Sequence, residues 1–136
     1  MNQVETDAPP LCLRCGRALR SERARRAGYG PECWTAILAA HNQADLSTWS
    51  PGQVDAALEL IRDGGIVLIR DPHSFAFRSV ASDGAAFYLT VTAACSCPAG
   101  QREIACYHRA AVAILLASRL TSRSCYRVRA PKGTQE

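Results

Sequence analysis

The chain has 136 residues and a formal charge of +4, enough material for one domain or two very small ones. Apolar residues reach 48% but aromatics only 7%, so the core has little volume per residue and needs a staple. No run reaches the length of a membrane span, and Met1-Asn2-Gln3-Val4-Glu5 lacks the basic-then-apolar order of a signal peptide, so a reducing, cytoplasmic setting is expected. There, seven cysteines at short spacings favour metal over disulfides.

The charge is uneven. Residues 14–26 set Arg14, Arg17, Arg20, Arg23, Arg25 and Arg26 against Glu22, and residues 119–136 set Arg119, Arg123, Arg127, Arg129 and Lys132 against Glu136, with an acidic stretch between. Arginine suits bidentate phosphate contacts, but it is also what a GC-rich genome supplies. The net charge alone does not identify a nucleic-acid binder.

Residues 1–11 read as a flexible tail. Cys12-Leu13-Arg14-Cys15-Gly16 is a knuckle in which two thiolates, two residues apart, are followed by a glycine able to take positive φ. Residues 17–26 read as helix or loop. Tyr29-Gly30-Pro31-Glu32-Cys33 restarts the chain, with Pro31 in the first turn of a helix to about Ala40 and Cys33 near its positive end. Ser50-Pro51-Gly52-Gln53 is a capping box opening a helix whose stripe is Val54, Ala57, Leu58 and Ile61, and Gly64-Gly65 ends it. The period then changes to strands over 66–70, 75–82 and 86–94, joined by Asp71-Pro72-His73-Ser74 and Asp83-Gly84, with His73 read as solvated. The third strand is expected to run straight into Cys95. From Cys106, Tyr107, Ala110, Ala111, Ile114 and Leu115 recur at helical spacing to about Ser118. The remainder, 119–136, is a basic arm.

Cys95, Cys97, Cys106 and His108 form C-x-C-x8-C-x-H, three thiolates and one imidazole. That fills a tetrahedral zinc shell and leaves no vacancy for substrate, which marks a structural metal. Residues i and i+2 on a helix point away from each other, so Cys106 must precede the helix and His108 must sit in its first turn. Cys12, Cys15 and Cys33 make a second, less complete set. His41 is one candidate for its fourth ligand, but it lies about 12 Å along an unbroken helix from Cys33 and serves only if that helix breaks or starts later. Cys125 is the rival, and a water, a carboxylate or no stable site stay open. Trp34 and Trp49 read as packing rather than base-stacking platforms. No acidic pair has catalytic spacing, and no catalytic residue is assigned.

The strands with Cys95-Ser96-Cys97-Pro98-Ala99-Gly100, Cys106-Tyr107-His108 and the apolar helix after them resemble a SWIM-type zinc finger over roughly residues 66–118. The resemblance implies DNA-binding or protein-interaction roles and brings no catalytic residue. Cys12-x2-Cys15-Gly16-Arg17 with Gly28-Tyr29-Gly30-Pro31-Glu32-Cys33 is similar to a small uncharacterised zinc-finger family of bacterial and phage proteins, over about residues 12–34.

The sequence thus predicts an α+β, zinc-stabilised fold. Its parts are a tail (1–11), an N-terminal knuckle and helix (12–45), a helix, three-stranded antiparallel meander and C-terminal helix (50–118), and a basic arm (119–136). Two Zn²⁺ are expected. The functional expectation is a non-enzymatic, nucleic-acid-associated adaptor, with DNA the first choice and the two arginine blocks on phosphate. The alternative is a protein-interaction module, such as a phage or mobile-element factor that captures a host protein. Neither a small-molecule substrate nor a membrane is expected.

Overall fold

A computed structural model describes residues 10–69 and 76–119. His73 and its turn, Cys125, Arg123, Arg127, Arg129 and Lys132 lie outside the described residues. Pro10 and Leu11, expected in the tail, belong to the first element. Leu11 bridges Ala18, the Cys12 N–H donates to the Arg17 carbonyl at 2.8 Å, and Gly16 turns the chain at φ 84°. The knuckle is therefore the tip of a small hairpin.

Helix α1 (Glu22–Ala27) starts at Ser21, whose hydroxyl accepts from the Ala24 N–H at 3.0 Å, and stops at Gly28. Helix α2 (Pro31–Gln43) has Pro31 in its first turn, where a missing N–H costs nothing. Helix α3 (Pro51–Arg62) carries the expected capping box: Gln53 N–H donates to Ser50 Oγ at 3.1 Å and Ser50 N–H to Gln53 Oε1 at 3.0 Å. Its buried face is Ala57, Leu60 and Ile61, while Val54 and Leu58 are half-buried. The buried face is turned toward Leu60, whose side chain packs over Gly65 beside Val80.

Strands β1 (Ile66–Leu68), β2 (Phe77–Val80) and β3 (Phe87–Thr90) form an antiparallel meander in the order β1-β2-β3. Phe77 pairs with Thr90 and Leu68, and Ser79 with Tyr88 and Ile66. One face buries Ile66, Leu68, Phe77, Ser79 and Thr90; the other exposes Arg78, Phe87 and Leu89. Strand β3 ends four residues earlier than expected. At Thr90 the chain reverses, with the Val91 N–H donating to the Ala94 carbonyl at 2.8 Å, and Cys95 returns alongside Thr90. The β-branched run Thr90-Val91-Thr92 favours extension, but the turn lets Ser96 N–H reach the Leu89 carbonyl at 3.0 Å and covers the edge of β3.

Short helix α4 (Pro98–Gln101) and helix α5 (Tyr107–Ala117) complete the chain. Helix α5 lies at the centre, packed on α2 and α3, and buries Ala110, Ala111, Val112, Ile114 and Leu115. Its alanines let neighbouring helices approach closely, while each buried Ile, Leu or Phe contributes about 1.5–3 kcal/mol. One apolar cluster runs without interruption from Cys12, Leu19 and Tyr29 of the knuckle through Ile37 to Phe77 and Ile114. Trp34 and Trp49 pack against it, as expected. No helix among the described residues is long and apolar enough to cross a membrane.

Candidate metal centres

Cys95, Cys97, Cys106 and His108 meet with their ligand atoms all within 4.8 Å of one another, and all four are buried. Around zinc, tetrahedral ligand atoms lie roughly 3.7 Å apart, so the set fits. Cys106 is the N-cap of α5 and His108 lies in its first turn, as the spacing requires. Cys95 and Cys97 come from the segment returning beside β3. The Thr90 turn therefore does what a straight strand end was expected to do.

The surroundings choose the ligand atom of His108. Nε2–H donates to the Val80 carbonyl at 3.2 Å, while Nδ1 is buried with no hydrogen-bond partner among the described residues. A buried lone pair left unmatched is costly, and a metal among the three sulfurs satisfies it. The ring is held by Tyr107, stacked at 4.2 Å, and by Tyr88 edge-on at 5.4 Å. Burial lowers the imidazole pKa, against the opposing Val80 carbonyl, which keeps the ring neutral as a ligand must be.

The sulfurs have their own donors. Thr90 Oγ1 lies 3.2 Å from Cys95 Sγ and 2.9 Å from Ser79 Oγ, a buried hydroxyl pair that ends on a thiolate. The Gly100 N–H donates to Cys97 Sγ at 3.3 Å. Only glycine fits at position 100, because any Cβ would overlap the Cys95 carbonyl. Burial pushes the Cys106 thiol up to about 12, only partly offset by the Arg109 N–H and reinforced by its cysteine neighbours. Burial raises the Cys97 thiol, but the Gly100 N–H, the Cys95 and Cys106 thiols and the Ala99 N–H together draw it down. Without a dication the cluster does not carry all its charge; Zn²⁺ removes that restriction.

Cys12, Cys15 and Cys33 also converge, with sulfurs within 4.8 Å. Cys12 and Cys15 sit on the hairpin tip and Cys33 in the first turn of α2. Here too one thiol falls and another rises. Cys12 goes down because N–H groups of Cys15, Gly30 and Arg14 overcome burial, and Cys33 is pushed up to about 12, chiefly by burial. Helix α2 runs unbroken from Pro31 to Gln43, so it carries His41 away from the sulfurs, and the ring contacts Asn42 at 3.3 Å instead. The condition set for His41 as fourth ligand is not met. Both clusters are suited to zinc; the second has three ligands among the described residues.

The arginines separate into two kinds. Arg14, expected on phosphate, is turned inward: Nη1 donates to Cys33 Sγ at 3.3 Å, Nε donates to the Ser118 carbonyl at 2.9 Å, and Nη2 shares that carbonyl. It ties the N-terminal cluster to the end of α5, where the helix dipole favours a cation. Arg25 is anchored by Nε to the Leu19 carbonyl at 3.1 Å, and Arg26 pairs with Glu22 at 2.7 Å. Arg17, Arg20, Arg23 and Arg119 are exposed. The roles of Thr90, Val80, Gly100 and Arg14 were not readable beforehand, although the Pro98-Ala99-Gly100 turn after two ligands was a usable sign for Gly100.

Neither the curated proteins nor the solved structures contain a match to the chain. Residues 4–38 match the model of a family of unknown function (DUF6011), a wider span than the knuckle and α2 start on which the resemblance rested. With its strand pair, returning Cys-x-Cys segment and Cys-x-His helix start, the stretch from Phe77 to Ala117 matches the model of the SWIM zinc finger.

Proposed function

We propose that the chain is a non-enzymatic adaptor that grips nucleic acid, DNA in the first instance, while its metal centres only hold the gripping surface in shape. The observation that carries this reading is the row Arg17, Arg20 and Arg23, exposed beside the N-terminal knuckle and without ion-pair partners among the described residues. Arginines of this kind match phosphate oxygens bidentately. SWIM fingers bind zinc and serve in nucleic-acid or protein interaction, which is compatible with this role. Three phosphate contacts give a slope of log affinity against log salt of about −3 on duplex DNA. Fluorescence anisotropy with duplex and single-stranded oligonucleotides should find micromolar binding at low salt that weakens with this slope. Changing Arg17, Arg20 and Arg23 to Ser should abolish it without altering the fold; absent or salt-insensitive binding would refute the reading.

A second reading, a protein-interaction module, rests on a different surface. On the outer face of the meander Phe87 is 64% and Leu89 55% exposed, and the Arg78 guanidinium lies 4.8 Å from the Phe87 ring centre. Phe87→Ser should leave DNA affinity unchanged under the first reading. A bound protein retained after nuclease treatment and lost with Phe87→Ser would favour the second.

A further inference from the structure

Two helices end beside each other. Gly28, at φ 86°, stops α1, and Gly64, at φ 73°, follows the last turn of α3. Between the two ends lies a cleft of about 560 Å³, lined by Glu22, Arg23, Arg26 and Ala27 on one side and by Arg62 and Asp63 on the other. We propose that this cleft seats one backbone phosphate of a bound nucleic-acid strand, the one that Arg23 engages, and that Arg26 and Arg62 share it. The proposal rests on the nucleic-acid reading and carries its surface from the knuckle onto α3. Arg62 belongs to the acidic stretch between the two basic blocks, and only the fold brings it to Arg23.

The helices themselves account for two of the three cations. Arg26 and Arg62 stand in the last turns of α1 and α3, where the helix dipole favours positive charge. Arg23 has no such explanation. It is the second residue of α1, near the positive end of the dipole, and it has no ion-pair partner among the described residues. Arg23 and Arg26, three residues apart, share one face of the helix while Ala24 turns into the core. A phosphate in the cleft supplies the counter-charge that Arg23 otherwise lacks.

The existing pairs leave the guanidinium groups available. Arg26 meets Glu22 at 2.7 Å with side chains 77% and 83% exposed, and Arg62 meets Glu59 only at 4.0 Å, also in solvent. Exposed pairs of this kind are weak, so a phosphate can take both arginines without leaving a buried charge behind. Within the cleft three guanidinium groups stand against two carboxylates, Glu22 and Asp63, which leaves it net positive. The planar fork of arginine matches the oxygens of a phosphodiester, and three forks from two helices fix where that phosphate sits. Asp63 opposes it, so the cleft makes a prediction of each sign.

The test is fluorescence anisotropy of the full, zinc-loaded chain with a labelled duplex oligonucleotide at one fixed low salt concentration. Arg62→Ser should weaken binding about tenfold, the order of a hydrogen bond to a charged partner. Asp63→Asn removes the repelling carboxylate and should tighten binding about threefold. Arg102→Ser makes the same change in net charge at an exposed position outside the cleft, and should shift affinity by less than about twofold. Equal losses from Arg62→Ser and Arg102→Ser, or an Asp63→Asn variant that binds no tighter, would overturn the cleft. The nucleic-acid reading would survive that result, because it stands on Arg17, Arg20 and Arg23 changed together. No binding by the wild type would sink both.

Discussion

The two cysteine clusters differ in how far the chain must travel to build them. The C-terminal one takes its ligands from residues 95–108, and its outer contacts, Thr90, Ser79 and the Val80 carbonyl, come from the two strands immediately before it. The N-terminal one joins residues 12, 15 and 33 and leans on Ser118, from the opposite end of the described chain, through Arg14. A finger closed by neighbours is set by local geometry. A finger that borrows from a distant helix is set by the packing of the whole molecule, and it makes the two halves depend on each other.

The sharpest way to break this contrast is to remove the C-terminal metal. Structural zinc is worth about 10–16 kcal/mol in small fingers, more than a domain of this size holds in reserve. Cys106→Ser should therefore melt the meander and α5 together, seen by circular dichroism. An unchanged melting profile would mean that the cluster is ornamental. Next in size is the link between the halves: Arg14→Ala should cost about 1.5–3 kcal/mol, the value of hydrogen bonds to charged partners. Arg14→Lys should not restore it, since an ammonium does not reproduce the fork that spans Cys33 Sγ and the Ser118 carbonyl. Full rescue by lysine would reduce Arg14 to a simple charge.

Thr90→Val should act on the C-terminal centre alone. It removes the hydroxyl beside Cys95 and strands Ser79, costing about 1–2 kcal/mol, and should lower zinc affinity at that centre while leaving the N-terminal one untouched in a competition titration. The metal-free protein should also show a pH response. Cys33 and Cys106, pushed up to about 12 from an ordinary 9.0, stay protonated in the fold, so the unfolded chain releases its protons first and stability is lost as pH rises from 9.0 toward 12. His108, lowered from 6.5, stays neutral in the fold, so stability is also lost as pH falls below 6.5. Urea titrations should find the metal-free protein most stable between these limits. With zinc bound the thiolates are already formed, and the alkaline loss should disappear.

The parts legible in the sequence were those governed by short spacings. The C-x-C and C-x-H pairs located the metal, forced Cys106 outside α5 and placed His108 within its first turn. Ser50 and Gln53 announced their capping box because both partners lie within one turn. The parts that were not legible depend on competition over distance. The Thr90-Val91-Thr92 run reads as strand, and only the pull of Cys95 back onto Thr90 explains the turn. Arg14 looks like its basic neighbours until Ser118 arrives beside it. Phe87-Tyr88-Leu89 is apolar throughout, so its alternation is hidden, and nothing local reveals that the first and third residues face outward.

The central claim is that both clusters hold zinc in one continuous fold. Native mass spectrometry of the full chain tests it most directly: the account predicts two Zn²⁺ per molecule, with the N-terminal ion lost preferentially in Arg14→Ala. A single Zn²⁺ in the wild type, retained at the same occupancy in that variant, would contradict it.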